Sequence, residues 1–134
     1  MESQFRRDLT DWLRSDRTLE ARVNLVEEEA ALELHPPYVG IVASAAIDWS
    51  CKTHAGREIR IAFEVVERAE SATRLTDTIN VLERRIAALP PERPSYRIAA
   101  TQFLRSRIER RARRLRAGLV EYRFRIIATQ SEIP

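Results

Sequence analysis

A chain of 134 residues with 44% hydrophobic and 32% charged side chains has material for one core, so residues 1–134 are expected to form a single domain. The net charge of +3 conceals a split: residues 1–34 hold five arginines against nine acids, a net −4, whereas residues 97–127 hold ten arginines against two glutamates, a net +8. The lone Cys51 excludes an internal disulfide, no run approaches the ~18 apolar residues of a membrane span, and MESQFRRDL lacks the apolar stretch of a signal peptide, which together point to a cytosolic product without a membrane partner.

Taken in chain order, Phe5, Leu9, Trp12 and Leu13 form one stripe of an amphipathic helix over roughly 2–14. A short turn or helix at Asp16–Ala21 follows, and RVNLVEE reads as a brief strand. His35-Pro36-Pro37 must be extended or turned, because each proline pushes its predecessor out of the helical region. YVGIVASAAIDW, residues 38–49, is apolar and small, the profile of a strand buried on much of both faces. A polar turn around Gly56 leads into EIRIAFEVVE, where Ile59, Ile61, Phe63 and Val65 alternate with Arg60, Ala62, Glu64 and Val66 as in a half-buried strand. The pair reads as a long antiparallel hairpin. Leu75, Ile79, Leu82, Ile86 and Leu89 step by 4, 3, 4 and 3, predicting a helix over roughly Ser71–Leu89 that Pro90-Pro91 stops.

The segment from Arg105 to Leu119 permits two readings. Leu104, Ile108, Ala112, Leu115 and Leu119 fit an arginine-rich amphipathic helix. Against that, YRIAATQFLRSRI is strand-like, and in VEYRFRI Val120, Tyr122, Phe124 and Ile126 alternate with Glu121, Arg123 and Arg125. A strand–loop–strand hairpin with ERRARRLRAG as the connection is the preferred reading. The fold class is then α+β: an antiparallel sheet of about four to five strands with an N-terminal helix and one long central helix packed on it.

Little here supports enzyme chemistry. Cys51 and His54 lie close in WSCKTH but have no orienting acid nearby, two histidines and one cysteine cannot assemble a zinc site of usual spacing, and Gly40, Gly56 and Gly118 belong to no phosphate-cradling pattern. No catalytic residue, cofactor or metal is expected. Trp12 and Trp49 read as packing residues, since the aromatics are not interleaved with arginines as in single-strand binders. The arginines Arg107, Arg110, Arg111, Arg113, Arg114 and Arg116 are the candidate contact for a partner or for DNA, because the one local acid, Glu109, cannot satisfy them. Glu27, Glu28, Glu29 and Glu33 are a candidate acidic face between subunits, although such a run is more often a solvated edge.

The order of elements and several local stretches resemble the phage tail completion or tail terminator family of siphophages and gene transfer agents. These are an N-terminal helix followed by SDRTLEARV, the strand entry PPYVGI, DWS at the strand end, EIRIAFEVVERAE, the helix RLTDTINVLERRIAAL and the closing GLVEYRFRI, which together span roughly residues 4–128. The resemblance implies a non-enzymatic virion protein: a ring of copies, typically sixfold, at the head-proximal end of the tail tube. There it would cap tube polymerisation and join tube protein to head–tail connector, after assembly in the bacterial cytoplasm. The arginine segment would then meet the connector or the DNA channel without sequence preference. The sequence departs from the family in its arginine-rich hairpin tip, where glycine or aspartate would be expected. The alternative is a small nucleic-acid-binding module using residues 105–116 as a basic helix, which predicts DNA affinity that falls steeply with salt.

Overall fold

The computed structural model describes residues 1–24, 26–27, 35–68, 70 and 72–129. Helix α1, Glu2–Arg14, buries Phe5, Leu9 and Leu13, three residues spaced by four that line one face. Helix α2, Arg17–Glu20, is a single turn whose N-cap Asp16 accepts the Leu19 amide at 3.0 Å, and it inserts Leu19 into the core. The strands are β1 (Val26–Glu27), β2 (Tyr38–Asp48), β3 (Gly56–Arg68), β4 (Tyr96–Arg111) and β5 (Leu115–Ala128), with α3 (Ala72–Ala87) between β3 and β4. The architecture is therefore the expected α+β arrangement. Four antiparallel strands form the sheet, and β1 adds a two-residue parallel rung beside Val39 and Gly40.

The strand order is β1-β2-β3-β5-β4, so the last strand in sequence is inserted between two earlier ones. The registers Ile59↔Phe124, Ile61↔Tyr122 and Phe63↔Val120 put the apolar sets of β3 and β5 on one face, and α3 lies across both strands. Leu75, Ile79, Leu82 and Ile86 are the α3 residues that meet it. Phe5 of α1 closes the other end, its ring 4.9 Å from Phe124 and 6.1 Å from Tyr96. Each fully buried Phe, Leu or Ile in this layer contributes about 1.5–3 kcal/mol relative to exposure, so the helix-covered face dominates stability.

Three expectations change. β2 is not buried on both faces: Val39, Gly40 and Ile41 are buried, but Val42–Asp48 are exposed, because the helices cover β3 and β5 while β1 reaches only the first rungs. β3 is more than half-buried, since Glu58, Glu64 and Val66 on its helix-free face are covered as well, two of them by arginines from neighbouring strands. The segment ERRARRLRAG is not a loop. β4 runs through Arg111 and β5 starts at Leu115, leaving only Ala112–Arg114 as the turn and excluding the helical reading of 105–116. The tip is also no free-standing finger, because Leu115 pairs with Arg68 on one side and Arg111 on the other.

Three tyrosines link this packing to pH. Burial, with Glu83 adding to it, pushes the Tyr122 phenol up to about 12. Tyr96 is raised by burial and by donating to Asp8 Oδ2 at 2.5 Å, and Tyr38 is raised by burial and by Glu64. A phenol raised above its unfolded value of about 10 stabilises the fold fully below that pH, and its contribution is lost as pH climbs toward the folded value. Urea midpoints are expected to hold from pH 8 to 9.5 and fall by pH 11, with a shallower fall for Tyr122→Phe. An equal fall in that variant would count against Tyr122 as a contributor.

Candidate partner-binding surfaces

The six candidate arginines do not converge on one patch. Side chains alternate along β4, so Arg107, Glu109 and Arg111 point to the helix-free face while Ile108 and Arg110 point to the helix side. Arg111 is a structural residue. Its Nη1 donates to Glu64 Oε2 at 2.6 Å, and its Nε and Nη2 donate to Glu109 Oε1 at 3.0 and 2.8 Å. Tyr38 donates to the other oxygen of Glu64 at 3.0 Å. Burial opposes the charge on Arg111, but the hydrogen bonds to Glu109 and Glu64 outweigh it and raise its pKa. The distant partner Glu64 is what the sequence could not supply, being 47 residues away.

Four of the other five arginines remain for partners. Arg107, Arg110, Arg113 and Arg114 are exposed and have no ion pair or side-chain hydrogen bond among the described residues. Arg110, Arg111, Arg114 and Arg116 line a cleft of about 390 Å³ together with Glu70. Arg113 and Arg114 hold φ of 62° and 58°, the left-handed region that glycine or asparagine usually fills in tight hairpins. The departure from a Gly/Asp tip is thus made at a cost of about 1–2 kcal/mol per residue. Replacing both by glycine is expected to stabilise the chain by about 1 kcal/mol once glycine's larger unfolded-state entropy is set against the relief of strain. A lower urea midpoint in that double variant would contradict the strain argument.

A second charge cluster was not foreseen. Glu58, 7% exposed on the helix-free face, accepts from Arg125 Nε at 3.0 Å, with Arg123 Nε at 3.7 Å and Arg60 Nε at 4.0 Å. The Arg125 guanidinium also lies 5.2 Å from the Trp49 ring centre, and Arg105 pairs with Glu121 on the same face. These pairs hold the ladder of charges across β3, β5 and β4. Their sequence signal, a glutamate opposite an arginine, becomes legible only once the register is known. Trp12 is likewise a packing residue, its indole donating to the Arg85 carbonyl at 2.8 Å beneath the Arg85 guanidinium.

Of the candidate acidic face, Glu28, Glu29 and Glu33 lie outside the described residues, and of Glu27 only the backbone in β1 is described. Cys51 and His54 sit in the exposed loop after β2. Thr53 Oγ1 is 3.6 Å from Cys51 Sγ and 2.9 Å from His54 Nδ1, and hydrogen bonds from the Thr53 backbone and side chain, then from His54, lower the thiol to about 7. No group of three or more potential metal ligands occurs among the described residues, and no helix there is long and apolar enough to cross a membrane.

Against known proteins, the sequence matches no family model and no curated protein. Solved structures do match the fold. One is a chain in the virion of a native gene transfer agent particle, with a TM-score of 0.74, 21% identity, and coverage of 91% of this chain and 93% of that one. This chain has the fold of a gene transfer agent virion chain. The correspondence runs over most of both proteins.

Proposed function

We propose that this protein is a non-enzymatic virion component, a single tail-terminator-like domain that caps the head-proximal end of a phage-like tail tube and joins it to the head–tail connector. The observation that carries this reading is the near-complete, two-way overlap with a chain of a gene transfer agent virion. The resemblance of SDRTLEARV, PPYVGI, EIRIAFEVVERAE and GLVEYRFRI to tail terminators narrows it to this place in the particle. In this role the chain works as a homo-oligomer, a sixfold ring, with the tube protein below and the connector above. It is assembled in the bacterial cytoplasm and stays in the tail.

The exposed arginines Arg107, Arg110, Arg113 and Arg114 are the docking charges of this reading, facing an acidic connector surface or the DNA in the channel, with the half-buried Arg116 beside them. Arg111 is removed from that set because Glu64 and Glu109 hold it. Arginines divided between two faces of a hairpin suit contact with a surrounding protein better than insertion into a nucleic-acid groove.

Electron microscopy of particles made without this gene tests the role. Filled heads separated from tails, or tubes of uncontrolled length, are the expected outcome. Normally joined particles would overturn the proposal, and a salt-dependent affinity of the purified chain for DNA would then favour the nucleic-acid-binding module instead.

A further inference from the structure

Among the described residues, every exposed large hydrophobic apart from Met1 lies on one of two strands: Val42 (43%) and Ile47 (60%) on β2, and Phe103 (45%) and Ile108 (51%) on β4. These are the strands at the two sides of the sheet. On β2, the outer backbone edge from Ile41 to Asp48 has no partner strand among the described residues, since β1 occupies only Val39 and Gly40. On β4, the outer edge of sixteen residues carries, among the described residues, only an isolated bridge from Arg97 to Glu92. Long uncovered edges bearing apolar side chains are what monomeric proteins avoid, because they pair with any strand that meets them.

We propose that these edges pair with each other between copies, β2 of one copy against β4 of the next, so that the sheet continues from subunit to subunit. The inference rests on the ring-forming role proposed above. Two observations select a second copy as the occupant. The first is strand direction. β2 is antiparallel to β3, β3 to β5 and β5 to β4, so β4 runs opposite to β2, and a copy placed head to tail meets the edge in antiparallel register. The second is charge. β4 carries Arg97, Arg107 and Arg110 in addition to Arg105 and Arg111, which Glu121, Glu64 and Glu109 already pair, whereas β2 has no basic residue, ends on Asp48, and is flanked by β1 ending on Glu27. Two β4 edges would repel, while β4 on β2 sets basic against neutral or acidic. A contact of unlike edges is heterologous, the kind that closes into rings.

The test links the edges in the full chain, with Cys51→Ser to remove the native thiol. Ala46→Cys and Ser106→Cys place one thiol on each edge strand, and a short bismaleimide joins thiols that come together. The chain carrying both is expected to give a ladder of dimers, trimers and larger species, an equimolar mixture of the two single variants should stop at dimers, and each single variant alone should stay unlinked. Ile47→Arg should shift the light-scattering mass toward the monomer without changing the melting temperature. Dimers from Ala46→Cys alone would mean that like edges pair. Multimers by light scattering without a linked ladder would mean that copies meet elsewhere, and a monomer under all conditions would mean that they do not meet. Each of these overturns the edge contact, and particle microscopy decides the terminator role independently.

Discussion

Phe124→Ala is expected to cost about 4 kcal/mol, a large share of the roughly 5–15 kcal/mol that holds a domain of this size together. The ring has no exposed surface and sits where three elements meet: Phe5 of α1 at 4.9 Å, Tyr122 of the same strand at 5.9 Å, and Ile59 directly opposite on β3. Removing it leaves a cavity that the strand backbone cannot collapse into, because β5 is held by ladders on both sides. Helix α1 loses the ring against which its Phe5 packs, so its amides should exchange with solvent before those of α3. The informative control is Phe103→Ala, two rungs away along the same ladder. That ring touches Tyr122 from a half-exposed position, and its loss should move the urea midpoint of the isolated chain little while weakening association. Equal losses at the two sites would show that the boundary between core and contact surface is misplaced.

The second large effect is expected from a single methyl group. A Cβ at Gly56 would lie 2.4 Å from the Trp49 carbonyl oxygen, 3.0 Å from its carbon and 3.1 Å from the Ile126 carbonyl oxygen. All three are backbone atoms, so relief requires strands to move apart where β2, β3 and β5 meet. The carbonyl of the same glycine accepts from the Trp49 amide at 2.9 Å and its amide donates to Ser50 Oγ at 2.9 Å, which fixes the end of the hairpin. Gly56→Ala is therefore expected to destabilise by about 3 kcal/mol, measured from urea unfolding. At Gly118 an added Cβ comes equally close, at 2.4 Å, but to the terminal methyl of Ile79, which can rotate away. Gly118→Ala should cost clearly less, and a reversal of that order would refute the backbone-clash explanation.

Helices α1 and α3 were legible in the sequence because each has one wet face, so apolar residues recur at three and four. β3 and β5 were legible from alternation on their helix-covered face. The extent of the arginine hairpin was not. From Gln102 to Arg110 most of β4 is exposed on both sides, so no alternation marks it as a strand, and consecutive arginines read equally well as loop or helix. The same ambiguity affected β2, where a run of small apolar residues looks alike whether its own chain covers it or leaves it for another. The Tyr38–Glu64–Arg111 network joins residues 26 and 47 positions apart, and only the strand order brings them together. The sequence grouped six arginines as one candidate contact, but which of them is committed internally depended on that order.

The insertion of β5 between β3 and β4 has a consequence for synthesis. As the chain leaves the ribosome, α1 through β4 emerge before the strand that must separate β3 from β4 exists, and Val120, Tyr122, Phe124 and Ile126 are missing from the core. A nascent chain therefore cannot close its sheet early, and its contacts form late and between distant segments, a topology associated with slow folding. The strand order thus delays closure of the sheet until the last strand has been made.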